Sequence, residues 1–348
     1  MKILVDVGHP TDVNLFRNVI LDLESNGHLV RIAARNKENV RDVLDGYNFK
    51  YDLGMHYKHL YAKAYGMLMN DIWLYRISKK FNPDIFISSG SPYLAQVSKI
   101  FRRTHIAFTN TERANLAIRL MLPFTDAVCT PSCFGRDLGP KQVRFNSYYE
   151  LAYLHPNHFT PDPSVLEKLN LDKDDRYILV RFSALISHHD LGVRGFNFKT
   201  SGEMQAFIEE MENYGHVFLT SEIKLDKELE KYRVSVPPTD FHSFVFYASM
   251  YIGEGAKTAS EAAVLGVPSI YVSTTRRGYL DDLEERYGLT YTIKNRKQAF
   301  ETAVELLEDG NIKIKWQKKR EKMLGEKIDT TKFMVGFIEN FITNKKPS

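Results

Sequence analysis

Short apolar runs recur along the chain, each closed by a polar or glycine-bearing turn and followed by a segment with helical spacing. Residues 2–7 pattern as a buried strand, and Gly8-His9-Pro10-Thr11-Asp12 as a turn. Val13, Phe16, Val19, Ile20 and Leu23 mark one face of a helix over 13–25 that stops at Asn26-Gly27. The same alternation predicts strands at 29–34, 49–53, 84–88, 105–109 and 127–130, with helices at 40–44, 66–81, 92–101 and 114–121. Strand–helix–strand units of this length make right-handed parallel crossovers, so this half is expected to be doubly wound, with its polar turns at the carboxyl edge of the sheet.

The pattern starts again in the second half. Strands are predicted at 177–182, 217–220, 234–238, 250–252 and 269–272, helices at 204–211 and 240–248, and a long polar loop at 183–197. After the strand at 250–252, a turn with Gly253 and Gly255 leads into a helix in which Thr258 and Glu261 have capping-box spacing. Gly266-Val267-Pro268 then returns the chain to a strand. The amides of such a turn and the positive end of the helix attract anions, and glycine admits close approach of a ligand. An ordinary strand-to-helix turn carries the same residues for stability alone. Residues 142–163 lack periodicity and predict a crossing segment between domains. The tail predicts a basic helix at 313–327 and a more apolar one at 331–343. The domain boundaries follow: 1–155, 156–328, and a closing helix within 329–348 that packs back toward the first domain.

A chain of 348 residues exceeds a usual single core, which supports two domains. With 43% hydrophobic and 26% charged residues the composition is that of a soluble globular protein, and a net charge of +4 favours anionic ligands without the dense basic stripe of a nucleic-acid binder. The two cysteines, Cys129 and Cys133, are too few for a zinc site or a disulfide framework. The opening MKILVDVGHP lacks a signal-peptide core and no run reaches the length of a membrane span, so a cytoplasmic location is expected. Within 55–81, Tyr57, Tyr61, Tyr65, Trp73 and Tyr75 alternate with Lys58, Lys63, Arg76, Lys79 and Lys80. That interleaving suits peripheral contact with the inner face of a membrane or a groove for a lipid-linked acceptor; it equally suits a core helix with a solvated basic side.

Candidate chemistry collects at the strand ends. His9 is a base or a turn histidine, and Asp12 a catalytic carboxylate or a helix N-cap. Glu112 is an acid or base, or a first-turn carboxylate meeting the helix dipole. His188 and His189, followed by Asp190 and Arg194, occupy the loop after the first strand of the second half, where function commonly resides. Arg276 and Arg277 are placed to contact phosphate and Asp281 and Asp282 to hold hydroxyls, or else they form a solvated loop and a helical charge pair. His155 and His158 lie in a Pro-Asn turn with no further ligand nearby, which argues against a metal. Val236 sits on a strand expected to end at the same edge as the glycine turn.

These features together resemble the GT-B architecture: two Rossmann-like doubly wound α/β domains facing a central cleft. Within it they are similar to the N-acetylglucosaminyltransferase of peptidoglycan lipid-intermediate synthesis and to the UDP-N-acetylglucosamine 2-epimerases. The whole chain, including GHPTDVNLFRN, GSPYLAQ, ELAYLHP and HHDLG, also resembles a conserved family of unknown function. The transferase resemblance implies that Gly253, Gly255, Ala256, Lys257 and Thr258 lie at the donor diphosphate and that Glu261 holds the ribose. Glu254 stands where those transferases often have serine, and would repel phosphate unless turned away. The epimerase resemblance implies catalytic roles for Glu112 and for His188 or His189, but the arginine of the epimerases' first turn is replaced here by His9-Pro10. The expectation is a glycosyltransferase using a UDP-sugar, acting without a bound metal or cofactor on an acceptor glycan or lipid-linked sugar. An NDP-sugar epimerase is the alternative, and a non-catalytic nucleotide-sugar-binding protein the second.

Overall fold

The computed structural model describes residues 1–55, 60–183, 195–221 and 225–343. The chain divides into two compact units, Met1–His158 with Ile328–Ser348, and Phe159–Lys327. The first is a parallel sheet of β1 (Lys2–Val7), β2 (Leu29–Arg35), β3 (Tyr51–Gly54), β4 (Ile85–Ser88), β5 (Thr104–Phe108), β6 (Ala127–Pro131) and β7 (Gln142–Phe145) in the order β3-β2-β1-β4-β5-β6-β7. The direction of winding reverses between β1 and β4, which pair from Ile3 with Ile85 to Asp6 with Ser88. In such sheets the crevice at the carboxyl ends of the two strands at the reversal is where ligands bind.

The helix Pro10–Ser25 is fixed by burial of Val13, Leu15, Phe16, Val19, Ile20 and Leu23, and Phe16 meets Phe108 edge to face. At about 1.5–3 kcal/mol for each large apolar side chain, against about 1 kcal/mol for a cap, packing decides where this helix starts. The helix Leu60–Phe81 buries Leu74 and Ile77 while leaving Leu68 and Tyr75 exposed. The aromatic residues at 57, 61 and 65 lie outside the described side chains. No helix among the described residues is long and apolar enough to cross a membrane.

Two expectations need correction. The segment 142–163 is not a plain crossing: it supplies β7, paired in parallel with β6, and a 3₁₀ turn, Tyr149–Ala152, that packs on the helix Pro10–Ser25. Four residues are too few to show alternation, and Arg144 hides the strand by donating to the carbonyls of Ser132, Phe134 and Arg136. Nor does 234–238 form a strand. An isolated parallel bridge joins Leu219 to Arg233 just before the segment and is not extended, because Pro237 and Pro238 offer no N–H to a ladder, and Val236 sits in irregular chain.

The closing helix Thr330–Thr343 packs on the helix Pro10–Ser25, and Glu339 accepts from Asn26 and pairs with His28. At its start Asp329 pairs with His158 at 2.9 Å and accepts from Asn157. Burial pushes the Asp329 carboxyl up, but the bonds from His158, Asn157 and the Lys332 N–H outweigh it, and the acid is left well below its ordinary value of 3.8. The folded state therefore binds the proton less tightly than the unfolded chain. The stabilisation is full above about pH 4 and is lost as pH falls further. Acid unfolding of Asp329→Asn, followed by circular dichroism, is expected to show a flatter limb below pH 4 than the parent; identical limbs would remove Asp329 from this account.

The second unit is a parallel sheet of β8 (Tyr177–Phe182), β9 (His216–Ser221), β10 (Met250–Gly253), β11 (Ser269–Val272) and β12 (Thr290–Ile293) in the order β12-β11-β10-β8-β9. Its core joins Ile178, Val180, Ile252, Ile270 and Val272 to the helices Ser201–Glu212 and Arg296–Glu308 through Phe207, Ile208, Met211, Ala299 and Ala303. Here winding reverses between β10 and β8. That places the Gly253–Gly255 turn at the reversal point of its own sheet.

Candidate functional site

The glycines of the second unit are required by what packs on them. Gly253 lies in register with Arg181 of β8, and a Cβ there would stand 2.7 Å from the Arg181 carbonyl oxygen; a Cβ on Gly255 would stand 2.7 Å from Arg181 Cδ. Backbone and a packed arginine stem leave no room for either. The helix Ala256–Leu265 follows, with Gly255 as its N-cap, no side chain capping it, and Gly266 at φ 79° closing it in the left-handed region.

Two details differ from expectation, and a third meets a condition the sequence reading set. Thr258 is the third residue of the helix and buried, so the capping box does not form. The Gly255 N–H donates to the buried Tyr251 hydroxyl (3.1 Å), which returns a bond to the Gly255 carbonyl (3.0 Å), so this amide is already engaged and the available helix start begins at Ala256. Glu254 does not face an anion at the turn. Its two oxygens accept the N–H groups of Ser183 (2.8 Å) and Phe196 (2.9 Å), which turns the carboxylate toward the chain on either side of the histidine loop.

Glu261 is buried and lies 3.3 Å from Nε2 of the equally buried His242 on the helix Phe241–Tyr247. His242 was not singled out by the sequence, because a histidine within FHSFVFY carries no motif. The arginines divide. Arg276 pairs with Asp281 at 2.7 Å and reaches Glu284 and Glu285, whereas Arg277 donates to neutral oxygens, Thr275 Oγ1 and the Arg276 carbonyl. Asp282 pairs at 2.8 Å with Lys327, whose side chain is fully buried. Both aspartates thus have cationic partners within the chain, in competition with any role toward sugar hydroxyls. His188 and His189, with Asp190 and Arg194, lie outside the described residues.

At the reversal point of the first unit the turn after β1 gathers several charged groups. His9, not Asp12, is the N-cap of the helix Pro10–Ser25: Nδ1 accepts the Thr11 N–H, and Nε2 lies 3.0 Å from Glu38. The hydrogen bond from His9 lowers Glu38 to about 2, and Glu38 is held at φ 50°, a left-handed conformation that is costly for a residue with a Cβ. Asp12 accepts the Gly8 N–H at 2.9 Å. Burial pushes its carboxyl up, opposed by His9, the Gly8 N–H, Ser89 and Arg35, so Asp12 is a stronger base than an ordinary aspartate. Arg35 lies over Gly8, 3.2 Å from the buried Asp6 and stacked on Tyr93.

His9 and Asp12 therefore share one site. Asp6, at the end of β1, lies beside them, and Arg35 and Glu38 join from the end of β2 and the chain after it; no local pattern in the sequence links those two to the turn. Glu112 is used differently: Oε1 accepts the Gly135 N–H at 2.7 Å and its carbonyl accepts from Arg136, joining the chain after β5 to the chain after β6. His158 is bonded to Asp329, and among the described residues no group of three or more His, Cys, Asp or Glu side chains is placed to hold a metal ion.

The family described as protein of unknown function, DUF354, matches residues 1–343. The chain belongs to that family. No curated protein matches its sequence. Solved structures do match its fold. The UDP-GlcNAc 2-epimerase from Neisseria meningitidis bound to UDP-GlcNAc has a TM-score of 0.69 at 13% identity, over 98% of this chain and 100% of that one. The S. aureus MnaA–UDP complex has a TM-score of 0.69 at 12% identity, over 100% and 99%. SsfS6, a glycosyltransferase of Streptomyces sp. SF2575, has a TM-score of 0.58 at 12% identity, over 97% and 99%. The DUF354 chain thus has the GT-B fold, made of two Rossmann-like parallel-sheet units.

Proposed function

We propose that the protein is a glycosyltransferase that uses a UDP-sugar donor, a hexosamine derivative, and a hydroxyl-bearing acceptor. The observation that carries this is the uncapped helix start at Ala256, set at the reversal point of its sheet behind two glycines that packing requires. Its N–H groups and dipole match a diphosphate, with Arg277 as a further donor and Glu261 as the ribose acceptor. In the first unit Asp12 is the general base. It takes the proton of the acceptor hydroxyl as that oxygen bonds to the anomeric carbon, while the bond to the diphosphate oxygen breaks and UDP leaves with the electron pair.

A second reading, an NDP-sugar 2-epimerase, is favoured by the epimerases among the similar structures. The use of Glu112 on the Gly135 N–H and the His9-Pro10 turn weigh against it. Incubation with UDP-GlcNAc separates the two: an epimerase yields the 2-epimer with no acceptor present, whereas a transferase releases UDP in proportion to an added acceptor.

Donor binding is tested by Ala256→Pro. Proline is well tolerated at the first helical position, and Gly255 before it is already extended, so the substitution deletes one N–H and leaves the helix. Calorimetric titration of UDP and UDP-GlcNAc is expected to show binding to the parent and a loss of about 1.5–3 kcal/mol in the variant, as for a hydrogen bond to a charged group. Equal affinity in both proteins would remove the diphosphate from this turn.

A further inference from the structure

We infer that Arg35 is a second acceptor-binding residue: its guanidinium donates to an oxygen of the acceptor beside the hydroxyl whose proton Asp12 accepts. This rests on Asp12 being the base of the proposed reaction, and it names the class of acceptor, an uncharged group with more than one oxygen such as a sugar or polyol.

Gly8 joins the two groups. Its N–H donates to Asp12 at 2.9 Å, and the Arg35 guanidinium lies against its α-carbon, where a Cβ would stand 1.8 Å from Nη2. Gly8 has no left-handed φ, so the backbone does not require glycine here; the arginine does. Three more contacts fix the guanidinium. It lies 5.0 Å from the centre of the Tyr93 ring, and Nη1 stands 3.2 Å from Asp6 and 3.5 Å from the Ser91 hydroxyl. The Asp6 side chain is fully buried and neither of its oxygens has a hydrogen bond among the described residues, so it compensates charge without occupying a donor. A guanidinium has five N–H groups in one plane, and Nη2 has no acceptor among the described residues. The Arg35 side chain is 14% exposed and Asp12 is half-buried, so both are open to a ligand at the reversal point.

The charges decide which ligand class fits. Asp6 matches Arg35, and Glu38 has His9 at 3.0 Å and Lys37 at 3.3 Å, so among these groups ionised Asp12 is the surplus charge. A phosphate or carboxylate would be repelled by it. A hydroxyl needs an acceptor for its proton and a neighbouring oxygen needs a donor, and Asp12 and Arg35 supply one each across Gly8.

The test is Gly8→Ala in the full chain. The added methyl group takes the place of Nη2 and the arginine stem swings aside, with every charge kept. UDP affinity is expected to stay at the parent value and KM for a hydroxyl acceptor to rise about 10–100-fold, the worth of one hydrogen bond from a charged donor. Asp6→Asn combined with Arg35→Met removes the guanidinium without stranding the buried carboxylate, and is expected to raise KM in the same way. Independently of turnover, the ¹⁵Nε resonance of Arg35 in labelled parent protein is expected to move on addition of N-acetylglucosamine and to stay in place with inorganic phosphate at equal ionic strength. Indifference to N-acetylglucosamine, or a larger movement with phosphate, overturns the inference. So does an unchanged KM in either variant, because the guanidinium then serves only the fold. Failure of the parent to bind UDP would overturn the proposed function, and the resonance would still decide this point.

Discussion

Asp12→Asn is expected to lower turnover of UDP-sugar and acceptor by about 10²–10⁴, the usual worth of a positioned general base. UDP affinity should stay at the parent value. The sign of the accompanying stability change is opposite to that of most substitutions of a hydrogen-bonded carboxylate. Because burial raises the folded pKa of Asp12, the ionised group disfavours the folded state at neutral pH, and it ceases to do so only as pH falls and the acid protonates. Asparagine keeps an oxygen for the Gly8 N–H without the charge, so the variant's midpoint of unfolding is expected to equal or exceed the parent's at pH 7. Unchanged turnover would move the base elsewhere. A fall in both stability and turnover would make Asp12 a structural residue of the turn.

Asp282→Ala is expected to cost roughly 3–5 kcal/mol in the second unit. Its partner Lys327 has a fully buried side chain, and removing the carboxylate strands the ammonium away from water. Lys327→Met should cost less, because the charge leaves with the amine and Asp282, partly exposed, is rehydrated. The two tryptophans make the measurement local. Trp316, buried and donating to the Leu289 carbonyl, reports on the second unit, and replacing Trp73 with phenylalanine silences the first. Denaturant curves of the Trp316 fluorescence then compare both variants with the parent. A change below about 1 kcal/mol for Asp282→Ala, together with lost UDP-sugar binding, would restore Asp282 to the sugar and refute the structural role.

Arg276 and Asp281 follow the same logic at a more exposed position. In the sequence these residues stand beside a predicted phosphate turn and look like ligands. In the fold each has a partner of opposite charge close by, which a ligand would have to displace. The exposure of Arg276 makes that pair weak, so its displacement is inexpensive. Arg277 is bonded to neutral oxygens, so under the proposed function it has less to give up than Arg276 in meeting a phosphate.

By itself the sequence determined most of the alternation of strands and helices, and so the doubly wound class of both units, but not the short strands β7 and β12 nor the irregular chain at 234–238. It did so because a buried parallel strand must be apolar along its length and a crossover helix apolar on one face, and both periods are written locally. The helix stop at Gly266 was legible for the same reason: a left-handed residue before Val267-Pro268 needs glycine. Tertiary structure alone decided what each turn residue does. Tyr251 takes the Gly255 amide, Glu254 faces the chain flanking the histidine loop, Glu261 meets His242, and Asp12 gains its basicity from burial. Hydrogen bonds and desolvation depend on which strand ends the topology brings together, here β1 with β2 and β4 in one unit and β8 with β10 in the other. Residues such as Arg35 and Glu38 therefore carry no local signature of the turn they pack against.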